Sequence, residues 1–319
     1  MDKIAIIGAG RVGEASAWLL AQRNLARRIM LADRDQGLAQ GVALDIGHSA
    51  PLLGFTTAVE AVPVAEAIAG ADLVMVTAGA PRRPGMSRSD LLEANVAVVG
   101  PLVREVARSA PDAILLTVTN PADVMTYYAW RESGFPRRRV VGLSGVLDSA
   151  RMAQFVRLQT GAGPRDVEAW VVGGHGDAMV PLISRARVAG RPLREVLDGE
   201  ALHHVVRRTR GAGTEILQAK RRSTACLAPA AAIAAMVEAM QDGRGRVLPC
   251  IAVLDGEYGL RDMAMCVPCR LGPGGLDEVI ELDDLDAEER VQLLHSARCV
   301  TADIARLPLA GGAVAGAGK

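Results

Sequence analysis

The first half of the chain alternates short apolar segments with amphipathic ones, and this alternation constrains the fold more than any other feature. Candidate strands lie at residues 3–8, 28–33, 71–78, 113–120 and 140–144, with a further short strand near 55–59. Helical patterns fill the gaps, for example at residues 12–22, 90–109 and 122–133. Strands that alternate with helices predict a doubly wound parallel α/β sheet, whose ligand crevice lies at the carboxyl ends of the strands.

A glycine-rich turn, Gly8-Ala9-Gly10-Arg11-Val12-Gly13, follows the first strand and opens the first helix. Gly8 permits the tight turn, Gly10 lets the backbone approach a pyrophosphate, and Gly13 allows close packing of helix on strand. Asp33 ends the second strand, where its carboxylate can bind an adenosine ribose and repel a 2′-phosphate. This context predicts a Rossmann-type domain that prefers NAD to NADP, although Arg34 could pair with the extra phosphate. A glycine turn that binds nothing is the alternative.

The second half has a different pattern, which predicts a separate α+β substrate or catalytic domain. Helices are predicted at residues 147–159, 199–210, 214–241 and 287–305, a strand-turn-strand at 182–193, and strands at 247–254 and 263–271. We therefore expect an NAD-binding domain at residues 1–145 and a catalytic domain at 146–309. The Gly- and Ala-rich tail at residues 310–319 is expected to be disordered.

Composition and charge disfavour several classes of function. The 36 basic residues balance the 36 acidic ones, which gives no electrostatic reason to bind nucleic acid or an anionic membrane. The five cysteines predict no disulfide framework. Cys266 and Cys269 have a CxxC spacing, but such positions on a strand face opposite ways, so we interpret them as structural and expect no metal site. No signal peptide or membrane-spanning segment is recognised, which favours the cytoplasm.

Three segments of the chain contain candidate catalytic side chains. His175 lies among glycines, where the backbone can turn sharply and leave the ring accessible. Asp148 and Arg151 lie one helical turn apart and therefore share a helix face. Asn120 ends a central strand, directly before Pro121. Each has an ordinary alternative: a surface histidine, a helix cap, a surface ion pair, or a turn-forming Asn-Pro dipeptide.

A basic loop at residues 79–90 follows the predicted strand at 71–78. It contains Arg82 and Arg88 between prolines and glycines. Guanidinium groups on a loop at a strand's carboxyl end suggest a device that closes over a small anion. Arg83 would point elsewhere in an extended segment, because side-chain direction alternates. A solvated basic loop is the alternative.

Together, these segments resemble the lactate/malate dehydrogenase superfamily, and in finer detail its lactate-dehydrogenase-like bacterial malate-specific branch. The resemblance rests on residues 8–13, 79–90, 118–121, 147–151 and 173–177, in the order and at the spacing of that family. Residues 40–45, 228–230, 248–250 and 256–259 agree as well. The resemblance covers nearly the whole chain apart from the tail. It also implies a cis peptide bond before Pro121.

The resemblance implies a role for each candidate residue. His175 would be the acid/base that takes the hydroxyl proton in oxidation and returns it in reduction, while Asp148 would hold its ring and stabilise its charged form. Arg151 would bind the C1 carboxylate of the substrate, Arg88 would polarise the reacting carbonyl, and Asn120 would hydrogen-bond the substrate. The implied cofactor, NAD, would be contacted by Gly8, Ala9, Gly10, Arg11, Val12, Gly13, Asp33, Asn95, Val118, Thr119 and Asn120.

Arg82 decides the substrate within that family, because lactate-specific relatives carry Gln at this position and malate-specific ones carry Arg. An enclosed Arg needs a counter-charge, which the second carboxylate of oxaloacetate supplies and the methyl group of pyruvate does not. The resemblance therefore implies reversible oxidation of (S)-malate to oxaloacetate by a homotetramer or homodimer. A lactate or other 2-hydroxy-acid dehydrogenase is the nearest alternative. A non-catalytic NAD-binding sensor is disfavoured, because it needs no acid/base.

One segment departs from the family pattern. Cys226 and Leu227 stand where relatives have two aromatic residues before Ala-Pro. The change is either a harmless repacking of a helix or a different floor to the substrate pocket. It bears on substrate affinity more than on reaction class.

Overall fold

The first half of the chain forms the parallel sheet that the alternating pattern predicts. The computed structural model describes residues 1–80, 88–221 and 223–308; Arg82, the side chain of Arg88 and the predicted tail lie outside the described part. The strands are β1 (Lys3–Ile7), β2 (Arg28–Ala32), β3 (Ala58–Ala61), β4 (Leu73–Val76), β5 (Ile114–Thr117) and β6 (Val140–Gly142). The helices between them are α1 (Arg11–Gln22), α2 (Gln36–Leu53), α3 (Val64–Ile68), α4 (Arg88–Ser109) and α5 (Ala122–Ser133).

The strand order in this half is β3-β2-β1-β4-β5-β6, and every pair in it is parallel. Strands β1, β4 and β5 are buried along their whole length, as expected for central strands covered by helices on both faces. The order reverses between β1 and β4, so the chain leaves these neighbouring strands toward opposite sides. A crevice therefore opens at their carboxyl ends, which is where the sequence places its glycine turn.

The second half continues the same sheet with antiparallel strands. It contains α6 (Gly145–Thr160), β7 (Val167–Glu168), β8 (Val171–Gly173), β9 (Met179–Pro181), β10 (Arg187–Val188), β11 (Arg191–Pro192), α7 (Leu193–Val196), α8 (Gly199–Lys220), α9 (Leu227–Gln241), β12 (Val247–Asp255), β13 (Arg261–Gly272), β14 (Gly275–Val279) and α10 (Ala287–Ile304). Strand β12 pairs with β6, and the sheet runs on through β13, β8 and β9, with β14 beside β13. The predicted division at residue 145 coincides with the start of α6, but it stays a prediction because the sheet crosses it.

Several predicted elements differ from the structure. Helix α2 fills one of the gaps in which a helix is predicted, and it is capped by the Asp35 side chain, which accepts the backbone N–H of Leu38 at 3.1 Å. The predicted break between helices at residues 211–213 is wrong, because α8 runs through both glycines and ends before Arg221, whose φ is 59°. The predicted strand-turn-strand at 182–193 is reduced to the two-residue strands β10 and β11.

Gly211 and Gly213 lie inside α8, in the interval between the two predicted helices. A glycine costs only about 1 kcal/mol in a helix interior, and the burial of an apolar face can outweigh that cost. Val205 and Ala212 on α8 are buried. The burial of this face is therefore enough to continue the helix through Gly211.

Among the described residues, no helix is both long enough and apolar enough to cross a lipid bilayer.

Candidate active site

The glycine turn is held tightly against the sheet on one side and open on the other. Gly8 has a φ of 118°, and a β-carbon there would lie 2.6 Å from the backbone nitrogen of Ala78. Thr77 Oγ1 donates a hydrogen bond to the Gly8 carbonyl oxygen at 2.8 Å. Gly10, by contrast, has no neighbouring heavy atom within 4 Å of its β-carbon position. The open side at the start of α1 therefore has room for a pyrophosphate, as the turn predicts.

Asp33 follows β2 and lies beside this turn. One carboxylate oxygen accepts the backbone N–H of Ala9 at 2.7 Å, and the other accepts that of Asp35 at 3.0 Å. Arg34, the residue that could favour NADP, is exposed. The Asp33 carboxylate thus has a fixed position at the edge of the crevice, where the ribose of a dinucleotide would lie.

Asn95 joins the two chain segments that leave β4 and β5. Its side-chain nitrogen donates to the carbonyl oxygen of Asn120 at 2.6 Å, and its side-chain oxygen accepts the N–H of Ala80 at 2.6 Å. Thr119 reinforces the link, because its hydroxyl donates to the Ala78 carbonyl oxygen at 2.6 Å. The buried amide of Asn95 therefore shapes the crevice through backbone contacts.

The peptide bond between Asn120 and Pro121 is cis, as the family resemblance implies. Asn120 is exposed at the crevice edge, Thr119 is buried, and Val118 is partly buried. The exposed Asn120 side chain is thus available to a ligand, while its carbonyl oxygen is held by Asn95.

Three of the predicted catalytic side chains meet at the start of α6. His175 Nδ1 lies 2.7 Å from Asp148 Oδ2, and Arg151 Nη1 donates to Asp148 Oδ1 at 2.8 Å. Asp148 is 1% exposed, whereas 21% of the His175 side chain is exposed. One buried carboxylate therefore joins an accessible imidazole to a guanidinium group.

The chain around His175 is shaped for this contact. Gly173 and Gly176 on either side have φ angles of 81° and 107°, which other residues rarely adopt. The N–H of Gly174 donates to the Ser296 hydroxyl of α10 at 2.7 Å. The glycines let the segment after β8 turn back toward α6, and the α10 contact fixes it there.

The three charged groups shift one another's ionisation. Burial alone would lower the pKa of His175, but the negative charge of Asp148 and the hydrogen bond to it raise that pKa above its ordinary value of 6.5. Burial alone would raise the pKa of Asp148, but the nearby His175 and Arg151 lower it below 3.8. The arrangement therefore favours an ionised Asp148 beside a protonated His175.

Asp123 also belongs to this site, although sequence reasoning did not select it. Its Oδ2 accepts the backbone N–H of His175 at 2.7 Å, and the residue is 5% exposed. Burial raises its pKa from 3.8 to about 6, against the opposing effect of the His175 contacts. An acidic residue between apolar neighbours in the first turn of a predicted helix was the available signal.

The guanidinium group of Arg151 is not fully hydrogen-bonded within the described part of the chain. Within the described part of the chain, its buried Nε has no hydrogen-bond partner. A buried guanidinium nitrogen without a partner costs free energy unless a ligand satisfies it. Arg82 and the Arg88 side chain, the other predicted anion-binding groups, lie outside the described residues.

The cysteines noted in the sequence, and Leu227, make none of the hydrogen bonds described above. Cys266 and Cys269 are buried free thiols on β13, and burial raises the pKa of both, that of Cys269 to about 12. Cys226 is buried directly before α9, and Leu227, the first residue of that helix, is 70% exposed.

Comparison with known proteins agrees with this geometry. Residues 2–142 match the family model of the lactate/malate dehydrogenase NAD binding domain, and residues 145–307 match that of the lactate/malate dehydrogenase alpha/beta C-terminal domain. The chain belongs to the lactate/malate dehydrogenase family. The predicted family, the Rossmann-type α/β fold and the NAD cofactor are thereby confirmed.

Curated relatives of this family member are similar over nearly its whole length. A malate dehydrogenase from Thioalkalivibrio sulfidiphilus is 53% identical over 96% of this chain and 100% of that protein. One from Nitrosococcus oceani is 49% identical, over 96% of this chain and 98% of that protein.

Solved structures from both branches of the family have the same fold. The malate dehydrogenase from Salinibacter ruber superposes with a TM-score of 0.89 at 40% identity, and the comparison covers 95% of this chain and 97% of that one. A Cryptosporidium parvum lactate dehydrogenase complexed with lactic acid and nicotinamide adenine dinucleotide gives a TM-score of 0.90 at 36% identity, over 96% and 99% of the two chains. The fold therefore does not distinguish the two substrates.

Proposed function

We propose that this chain is an NAD-dependent malate dehydrogenase that reversibly oxidises (S)-malate to oxaloacetate. The observation that carries the proposal is the shared Asp148 carboxylate, which contacts His175 at 2.7 Å and Arg151 at 2.8 Å. A proton-transfer group is thereby held at a fixed position relative to an anion-binding group. The malate dehydrogenases that are 49% and 53% identical over 96% of the chain add support for this substrate.

His175 is the acid/base in this proposal. The ionised Asp148 can only accept hydrogen bonds, so Nδ1 of His175 carries a proton and Nε2 is left with a lone pair. In malate oxidation, Nε2 takes the proton of the C2 hydroxyl group. Asp148 stabilises the imidazolium that forms, and the same proton returns to the oxygen when oxaloacetate is reduced.

Arg151 binds the C1 carboxylate of the substrate. Its Nη1 is occupied by Asp148, which orients the guanidinium and leaves its other nitrogens for a second anion. Asn120 hydrogen-bonds the substrate, Arg88 polarises the carbonyl, and Arg82 pairs with the second carboxylate of malate.

The crevice at the ends of β1 and β4 suits a dinucleotide. Bound NAD supplies the acceptor for the hydride that leaves C2 of malate. The chain's contribution is to hold the phosphates at the open Gly10 side of the turn and the ribose at Asp33. Asn95 positions the backbone that follows β4 and β5, so that cofactor and substrate share one crevice.

The proposed enzyme acts in the cytoplasm as a homodimer or homotetramer. Exposed apolar side chains on α2 support self-association, since Leu44 is 55% and Leu52 is 87% exposed. We propose no macromolecular partner besides further copies of the chain.

The loss of NADH absorbance in the presence of oxaloacetate tests the proposal. We expect fast oxidation of NADH with oxaloacetate, and much slower rates with pyruvate or with NADPH. A preference for pyruvate would make the chain a lactate dehydrogenase. No turnover with either acid, despite NADH binding, would support a non-catalytic sensor.

A further inference from the structure

Asp123 is a buried acid whose hydrogen bonding is incomplete. It lies in the first turn of α5, and its Oδ2 accepts the N–H of His175 from across 52 positions of sequence. Its other oxygen, Oδ1, is buried and has no hydrogen-bond partner among the residues that the structure describes. A carboxylate left half satisfied in the interior costs free energy, and such groups cluster at functional sites.

The charges around His175 come from two helices. Asp148 and Arg151 reach it from α6, and Asp123 reaches it from α5. Both carboxylates favour the protonated imidazole, whereas Arg151 opposes it. Cys266 on β13 also lies near Asp123, but burial and the charge of Asp123 both raise the pKa of this thiol, so it stays neutral. Asp123 is therefore the second of two negative charges that face the acid/base.

We propose that Asp123 is a positioning residue that holds the backbone of His175 in place and puts a second buried carboxylate beside the acid/base. Asp148 contacts the imidazole ring itself, whereas Asp123 accepts the backbone N–H of His175. The catalytic consequence rests on the proposed function, because it concerns the proton that His175 exchanges with malate. The effect on the imidazole itself does not depend on the substrate.

Titration of His175 by NMR tests this proposal without any substrate. The chain has five histidines, and the loss of one signal in His175→Gln assigns the relevant one. Asp123→Asn keeps an oxygen for the His175 N–H but removes the charge. We expect the titration midpoint of His175 to fall by about 1 pH unit in this variant.

Asp198→Asn is the matched control. Asp198 also accepts a backbone N–H at a helix start, that of Ala201 at 2.8 Å, but it is exposed and precedes α8 as its cap. This variant should leave the midpoint unchanged. An unchanged midpoint in Asp123→Asn would overturn the proposal, and Asp123→Ser, a second neutral variant, replaces it if the asparagine protein does not fold.

Enzyme kinetics separate the positioning role of Asp123 from the effect of its charge. The pH at which malate oxidation reaches half its maximal kcat should fall in Asp123→Asn together with the NMR midpoint. Asp123→Ala, which loses the hydrogen bond as well, should have a kcat about tenfold below that of Asp123→Asn. Equal kcat values in the two variants would refute the positioning role. If the wild-type protein does not oxidise malate, the proposed function is wrong, but the NMR midpoint still decides whether Asp123 controls His175.

Discussion

Gly13 touches Gly8 so closely that a β-carbon at position 13 would lie 1.8 Å from the Gly8 carbonyl oxygen. Helix α1 can start this close to the end of β1 only because Gly13 has no side chain. The same contact directs the start of α1 toward the crevice, where its N–H groups can face phosphate oxygens. Close packing and cofactor binding therefore depend on one backbone contact.

Gly13→Ala should lower both stability and NADH affinity. The methyl group meets backbone, which cannot move aside as a flexible side chain would, so we expect the free energy of unfolding to fall by about 3 kcal/mol. Thermal unfolding and NADH fluorescence titration measure the two effects. Gly211→Ala is the control: nothing lies within 4 Å of its β-carbon position in α8, so it should gain up to about 1 kcal/mol. Equal stabilities of the two variants would contradict this interpretation.

The features that sequence reasoning predicted correctly depend on local signals. The central strands are short apolar runs, and the glycine turn needs a strand before it and a helix after it, so both can be recognised within a few residues. The continuation of α8 through Gly211 was missed because it depends on packing against distant parts of the chain. Asp123 was missed for the same reason: nothing near it in sequence indicates that it contacts His175.

The family resemblance supplied the partners that local patterns could not. His175 and Asp148 lie 27 positions apart, yet their side chains are 2.7 Å apart in the structure. No periodicity in the sequence predicts that contact. Asn95 was expected to contact the cofactor, and its amide is instead seen bound to the backbone of Ala80 and Asn120, so cofactor contact by its side chain stays a prediction.

The two directions of the reaction should have opposite pH dependence. Malate oxidation needs neutral His175, so it should rise with pH through the raised pKa of this residue, while oxaloacetate reduction should fall over the same interval. Asp148→Asn removes the charge that raises this pKa, so both profiles should move to lower pH and kcat should fall by a factor on the order of 100 or more.

His175→Asn should still bind NADH but lose turnover. Unchanged turnover in His175→Asn would remove this residue from the mechanism.

The buried Asp123 should make stability depend on pH. Its folded pKa of about 6 is above the ordinary 3.8, so the folded state binds its proton more tightly than the unfolded state does. The stabilisation that comes from this proton is complete below pH 3.8 and is lost as pH rises through 6. The free energy of unfolding falls by about 3 kcal/mol over this interval. Asp123→Asn cannot titrate, so its stability relative to wild type should increase between pH 4 and pH 7.5. Urea unfolding at the two pH values measures this, and a constant difference between the proteins would refute it.

Asp33 should control the choice between NADH and NADPH. Asp33→Asn keeps an oxygen for the Ala9 N–H but loses the charge that repels a 2′-phosphate. We expect the preference for NADH, measured as a ratio of kcat/KM values, to fall by about tenfold, or about 1.4 kcal/mol. Asp35→Asn removes the same charge from the cap of α2, two positions away, and should change the ratio much less. A large NADPH gain in both variants would indicate a general electrostatic effect.

Arg82 should decide the substrate, although it lies outside the described residues. An enclosed guanidinium is satisfied by the second carboxylate of oxaloacetate and left without a counter-charge by the methyl group of pyruvate. Arg82→Gln should therefore lower kcat/KM for oxaloacetate by about a hundredfold or more and raise the relative rate with pyruvate. Arg83→Gln, one position away, loses the same charge and should keep the wild-type preference. If Arg82→Gln still prefers oxaloacetate as strongly as the wild type does, the second carboxylate is recognised by another group, and Arg82 has no part in specificity.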